Sequence, residues 1–322
     1  MRRTHAIVPA LSVLASAAAL AACSTSASSG SVTPVGVAST AAGSASFPAT
    51  SLKLYVANPG GNTVTVYAPP KTGLKRTISQ GVNQPAGLAF DGSGNLYVSN
   101  YGNNTVTVYA PGGTSVLRTI SQGVNGPGNM VFDGSGNLYL ANFHGNTVTV
   151  YAPGGTSVLR TISQGLAEPY CLVFDGSGDL YVGNNNLQTD SVTVYAPGKK
   201  RVLRTITQGV LLPEGLAFDG SGNLYVSNAD ANTVTVYAPG GTSVLRTISQ
   251  GLELPGPSVF DASGNLYVAN YVGPTSSPGN VTVYAPGSTS VLRTISHGVN
   301  KPVGLAFDAP GDLYVSNYHA KP

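Results

Sequence analysis

The sequence predicts an all-β chain folded as a six-bladed β-propeller of four-stranded antiparallel blades, and three observations carry that expectation. First, a unit of about 42 residues repeats, marked by a Leu-Tyr step at Leu54, Leu96, Leu138, Leu180, Leu224, Leu266 and Leu313. Second, each unit holds four short runs rich in Val, Ile, Tyr, Phe and Thr. In the first complete copy they cover 87–90, 96–99, 105–109 and 116–121. Third, the breaks between runs are Asp-Gly-Ser-Gly-Asn, Asn-Tyr-Gly-Asn-Asn and Ala-Pro-Gly-Gly-Thr, all turn chemistry, and no stretch has helical periodicity. Four strands that cannot bury a face alone, stacked around an axis, make a propeller blade.

The chain divides into three segments. Residues 1–22 read as a signal peptide, with Arg2 and Arg3 preceding an apolar, Ala-rich run from Ile7 to Ala22. That run is short for a membrane span. It ends in Leu20-Ala21-Ala22-Cys23, which resembles the lipobox of bacterial lipoproteins. The resemblance implies cleavage before Cys23 and a lipid on its sulfur, hence a place in the bacterial cell envelope on the extracytoplasmic side, the lipid being the only membrane contact. Residues 23–50, mostly Ser, Ala, Thr and Gly, are too poor in large apolar side chains to order themselves. As a tether they would span roughly 30 Å. Residues 51–322 are the propeller.

From inside outwards the strands of a blade are A, B, C and D. The chain enters at a B-type strand (52–57), then C (64–67) and D (74–79). Five complete blades follow, starting near Gly87, Asn129, Cys171, Gly215 and Pro257. Residues 304–307 and 313–316 then supply an A and a B strand. Joining these to the first C and D strands makes the sixth blade and closes the ring, which removes exposed edges. One B-type strand, 52–57 or 313–316, is then surplus.

The pattern Pro-x-Gly-Leu-Ala-Phe-Asp-x-x-Gly-Asn-Leu-Tyr-Val-x-Asn, followed by Asn-Thr-Val-x-Val-Tyr, resembles the NHL repeat over residues 52–318. The resemblance implies a six-bladed propeller. The chain departs from the family by ending strand B in Asn (Asn100, Asn142, Asn228) where Asp is usual, and by Thr-Val where Arg is frequent. Both departures remove charge, so charge-dependent binding known in the family is not carried over. The absence of Trp excludes WD40 repeats.

Composition narrows the function classes. Only 9% of the 322 residues are charged and the formal charge is +3, which falls to +1 once Arg2 and Arg3 are removed. That argues against nucleic acid as a partner. The repeated Asp91-Gly92-Ser93-Gly94-Asn95 resembles the start of a calcium loop, but Gly102 stands where a bidentate Glu is needed, and an Asp-capped hairpin explains every copy. His144, His297 and His319 lie in different units without ligand spacing, so no metal or cofactor is expected. Cys171 reads as a small buried residue at a strand start. No Ser-His-Asp order or nucleophile elbow is present, and no catalytic residue is assigned.

The copies can be compared with one another. A–B and C–D turns lie on one face of a propeller, B–C and D–A loops on the other. Every length change falls in a B–C loop, whereas the A–B turns barely differ. Thirteen of the 17 Tyr hold repeated positions; the others, Tyr101, Tyr170, Tyr271 and Tyr318, lie in B–C or D–A loops, as does Phe143. Glu168, Glu214 and Glu253 sit in D–A loops. Tyr101, Phe143, Tyr170, Glu168, Glu214, Tyr271 and Tyr318 are therefore the candidate ligand-binding residues.

The favoured reading is a lipid-anchored, monomeric binding module that takes a glycan, peptide or protein on its B–C/D–A face. Aromatic side chains there give contact area at low entropy cost. One alternative is a propeller enzyme of the lactonase or lyase type, acting at the channel mouth. Pro213-Glu214-Gly215-Leu216 resembles a segment of sugar-lactone hydrolases, although sister copies share that frame without the Glu. A second alternative is a passive surface scaffold.

Overall fold

The computed structural model describes residues 54–68, 71–186, 188–272, 278–307 and 313–318. The expected signal peptide, Cys23 and the tether lie outside these residues.

The described chain is an all-β six-bladed propeller, built as the repeat requires. Five blades are complete four-stranded antiparallel sheets in the order A-B-C-D. The first comprises β4 (Pro85–Phe90), β5 (Leu96–Asn100), β6 (Thr105–Tyr109) and β7 (Val116–Ile120). The second is β8 (Pro127–Phe132), β9 (Leu138–Asn142), β10 (Thr147–Tyr151) and β11 (Val158–Ile162). The third is β12 (Pro169–Phe174), β13 (Leu180–Asn184), β14 (Ser191–Tyr195) and β15 (Val202–Ile206). The fourth is β16 (Pro213–Phe218), β17 (Leu224–Asn228), β18 (Thr233–Tyr237) and β19 (Val244–Ile248). The fifth is β20 (Pro255–Phe260), β21 (Leu266–Asn270), β22 (Asn280–Tyr284) and β23 (Val291–Ile295).

The chain ends share what remains. β1 (Leu54–Asn58), β2 (Thr63–Ala68) and β3 (Lys71–Ile78) form one sheet, and β24 (Pro302–Phe307) pairs with β25 (Leu313–Asn317) in another. Of the two candidate B strands, β1 takes the place beside β2. Among the described residues no ladder joins β25 to that sheet. The pieces meet instead in one hydrophobic cluster, where Tyr55, Val64 and Val66 come together with Leu305, Ala306 and the partly buried Phe307 and Val315. Side-chain burial joins the ends here.

Packing between blades follows from two repeated aromatics. The strand-B Tyr of one blade meets the strand-A Phe of the next edge-on, as in Tyr97–Phe132, with centroids 5.1 Å apart at 75°. Such a pair contributes about 0.5–1.5 kcal/mol beyond the area it buries. Each strand-C Tyr reaches back to the preceding blade: the Tyr109 hydroxyl donates to the Gln80 carbonyl at 2.7 Å, and Tyr151, Tyr195, Tyr237 and Tyr284 repeat the bond. Burial pushes the Tyr109, Tyr151 and Tyr237 hydroxyls up, so they remain donors.

The turn reading of the Asp-Gly-Ser-Gly-Asn segments holds in the structure. Asp91 Oδ1 accepts from the Ser93 and Asn95 amides at 3.0 and 2.9 Å, and Oδ2 accepts from Asn95 Nδ2 at 2.8 Å. Gly94, with φ 78°, takes the left-handed position that a β-carbon would oppose. Cys171 is fully buried, as expected, its sulfur 3.6 Å from the Pro213 carbonyl. A β-carbon on Gly183 would come within 2.4 Å of that sulfur, which accounts for Gly where sister strands carry Ser or Ala.

Candidate functional site

The loop face is built on a backbone frame that repeats at each blade junction. The residue before each strand-A proline has positive φ: Gln84 (44°), Glu168 (51°), Leu212 (52°), Leu254 (46°) and Lys301 (49°), with Gly126 (61°) completing the set. Its carbonyl accepts from the residue that follows the strand-B Asn, as in Tyr101 N–H to Gln84 O at 3.1 Å and Asn185 N–H to Glu168 O at 3.0 Å. At five of the six junctions its own N–H donates to a B–C loop side chain of the preceding blade, and at the sixth the Lys301 N–H donates to the Pro278 carbonyl. Asn62, Asn104, Asn146 and Asn232 accept at four junctions, and Asp190 Oδ2 accepts from Leu212 at 2.9 Å.

The strand-B Asn completes the frame. Asn142 is fully buried; its Oδ1 accepts from the Asn125 amide at 3.0 Å and its Nδ2 donates to Thr149 Oγ1 at 2.9 Å. A carboxylate could accept but not donate, which is why Asn stands where the NHL pattern has Asp.

A second device is a bulge. The A–B register shifts between Pro85 and Gly87, Pro169 and Cys171, Pro213 and Gly215, and Pro302 and Gly304. The ladder skips one residue at each shift (Ala86, Tyr170, Glu214 or Val303), and bulges re-aim such side chains. Strands A line the axis, so these residues stand at the end of the central channel. Gly128 and Gly256 hold the same place in the flanking blades. A β-carbon on Gly256 would meet nothing closer than 4.0 Å, so that glycine leaves space there.

The structure brings Tyr170 and Glu214 together, as the register of the copies implied. Tyr170 donates a hydrogen bond to the Glu214 carboxyl, and Asn185 Nδ2 donates to Glu214 Oε1 at 3.1 Å. Glu214 is only partly exposed, and burial pushes its carboxyl up to about 7; the Asn185 and Tyr170 hydrogen bonds pull the other way, while Asp230 adds to the rise. Asp190 is raised too, first by burial, with Asp230 and Glu168 contributing and the Leu212 hydrogen bond opposing. Asn185 is 6% exposed, and its Oδ1 is buried without a partner, as is Asp190 Oδ1.

The remaining candidates form two separate groups. Tyr101 and Phe143 flank His144: the Tyr101 hydroxyl lies 2.7 Å from His144 Nε2, and the Phe143 and His144 rings are 5.3 Å apart. Tyr271 and Tyr318 are 6.2 Å apart, with Lys301 Nζ 5.5 Å over the Tyr271 ring. Tyr101, Phe143, Tyr271 and Tyr318 are half-buried, as loop placement suggested. Tyr170 departs from that expectation: it is 9% exposed because its ring packs into the cluster around Cys171, Tyr181 and Leu216. The aromatics are thus three groups, not one flat surface.

Sequence reasoning missed Asn185 and His144. The signal for Asn185 was available, because it fills the slot that Tyr101, Phe143, Ala229 and Tyr271 occupy in sister copies. Among the described residues no three His, Cys, Asp or Glu side chains converge closely enough to hold a metal ion.

The model for the NHL repeat matches residues 82–109. No curated protein matches the chain. Among solved structures, one titled "Streptogramin B lyase structure" superposes with a TM-score of 0.69, covering 82% of this chain and 86% of its own at 11% identity. At that identity the likeness speaks for the fold alone.

Proposed function

We propose that this chain is a lipid-anchored, extracytoplasmic binding module that takes a polar chain molecule, a glycan or a peptide, on its B–C/D–A face. One observation carries the reading: the bulged Tyr170 and Glu214, joined by Asn185, form a polar centre on the loop face, which also carries the half-buried Tyr101, Phe143, Tyr271 and Tyr318. The frame beneath is held by backbone groups and the strand-B Asn, so the side chains above it carry little of the fold's stability. The anchor rests on Leu20-Ala21-Ala22-Cys23. The test is a glycan and peptide array probed with the full mature protein, together with Tyr101→Ala and Glu214→Gln. Binding that both variants weaken supports the module; an array without hits from either class overturns it.

A lyase- or lactonase-type enzyme is the second reading, favoured by the Glu214 carboxyl near 7 beside a phenol, a suitable acid–base pair. Turnover of lactone substrates lost in Glu214→Gln would establish it.

A further inference from the structure

The channel end beside the third and fourth blades carries four acidic residues: Glu168, Asp190, Glu214 and Asp230. They act on one another. Asp230 raises both Glu214 and Asp190, and Glu168 also raises Asp190. No Lys, Arg or His among the described residues offsets either rise. Two acceptor oxygens on this side of the loop face lack donors. Asn185 is 6% exposed and spends its Nδ2 on Glu214, leaving Oδ1 of the same amide buried and unpartnered. Asp190 spends Oδ2 on the Leu212 amide, leaving Oδ1 likewise. Buried acceptors without donors are rare in folded proteins and point to a missing partner. In the next blade Gly256 holds the slot that Glu214 holds here, and a β-carbon on it would meet nothing closer than 4.0 Å.

We infer that this acidic pocket binds the protonated amine of the ligand. The inference rests on the binding-module reading and names the chemistry of its ligand. An ammonium supplies N–H donors and a positive charge, which suit an orphan acceptor beside carboxylates that no cation offsets. A metal ion fits less well, since no three ligating side chains converge. A neutral hydroxyl would satisfy one acceptor and leave the charge unopposed.

The test compares probes that differ only in acetylation of the amine. Calorimetry on the full mature protein would use glucosamine tetramer against N-acetylglucosamine tetramer, and tetralysine against its Nε-acetylated form. The free-amine member of one pair is expected to bind at least about ten-fold tighter. Which pair shows the preference tells whether the amine is a sugar's or a lysine's. Glu214→Gln, Asp190→Asn and Gly256→Leu should each shrink the preference to below about two-fold. Glu253→Gln, the same charge change at another junction of this face, should leave it intact. The two isosteric changes each keep one amide oxygen, able to accept from Asn185 and from Leu212, and Gly256→Leu fills the neighbouring slot without touching a carboxylate. Equal binding of acetylated and free probes, or a preference that all three variants leave unchanged, overturns the inference while the loop-face reading stands. Absence of binding by all four probes also overturns it, and the array then decides separately whether the face binds anything.

Discussion

The two faces of the propeller are built on opposite principles. On the A–B face the side chains are the scaffold: Asp91, Asp133, Asp219 and Asp261 each spend both carboxylate oxygens on closing their own turn, with the same bonds to the same positions. On the B–C/D–A face backbone groups do that work together with the strand-B Asn and one B–C loop Asn or Asp. The positive-φ residue and its two hydrogen bonds recur whatever side chain stands there, whether Gln84, Glu168 or Leu212. The backbone frame therefore makes no use of the side chain at three slots per junction: the left-handed residue, the bulged residue and the one after the strand-B Asn, although Tyr170 packs into the core from its slot. Constancy on one face and variety on the other then have one physical cause. What varies can be selected for binding without loss of fold.

The comparison breaks most severely at the residue that lets the backbone frame exist. Asn142 is fully buried, accepts from the Asn125 amide, and donates to Thr147 and Thr149. Asn142→Ala should leave the Asn125 N–H and two hydroxyls short of partners and open a small void, at a cost of about 2 kcal/mol. Thermal and urea unfolding would measure it. A loss below about 1 kcal/mol would mean that water or rearranged loops replace the amide, and that the frame does not depend on it.

How much of this could be read beforehand follows the same division. The period, the Tyr–Phe packing positions and the Asp turns are legible because each copy repeats the same residue for the same local reason. The bulge was not legible. Pro85-Ala86-Gly87 and Pro213-Glu214-Gly215 read as ordinary strand starts, and only the pairing register shows residues 86 and 214 passed over. The burial of Tyr170 was missed because its exposure was judged from loop position, whereas its ring turns into the core beside Cys171. Asp190 lies in a B–C loop of changed length. It proves to be an Asn substitute that keeps one oxygen for the frame and adds a charge to the site. β1 and β2 pair as a local hairpin, whereas the meeting of that sheet with β24 and β25 is packing between distant chain ends, which a local pattern does not encode.

A smaller effect sharpens the comparison through pH. Glu214 is raised from 4.5 to about 7, so the folded chain holds a proton that the unfolded chain has already released. Stability should therefore be full below about pH 4.5, fall as pH rises towards 7, and level off beyond it. Asp190 and Asp179, raised mainly by burial, give slopes of the same sign at the acid end. Since the Glu214 carboxyl is partly open to solvent, its share is about 1 kcal/mol, well short of what the full shift would imply. Glu214→Gln should remove that slope and be more stable than the parent at pH 8 by about the same amount. Denaturant midpoints at pH 5 and pH 8 decide the matter. If the two proteins respond identically, the carboxyl is not held protonated.

The smallest expected effect is the most diagnostic of a face freed for binding. Tyr101 follows the strand-B Asn, and the frame uses only its backbone N–H. Its side chain is half-buried, and its hydroxyl meets the exposed His144 at 2.7 Å. An exposed hydrogen bond of this kind contributes little, because water replaces either partner. Tyr101→Ala should shift stability by only about 0.5 kcal/mol, and Tyr101→Phe by less. Affinity for a ligand laid across the Tyr101–His144–Phe143 group should behave differently. The alanine variant should lose at least about five-fold, near 1 kcal/mol, through the missing ring, while the phenylalanine variant keeps most of it. The contrast between the two variants matters more than either value. Equal losses would assign the contact to the hydroxyl and the His144 pair. A destabilisation near 3 kcal/mol in Tyr101→Ala would place the ring among the structural residues and dissolve the distinction between the faces at that junction.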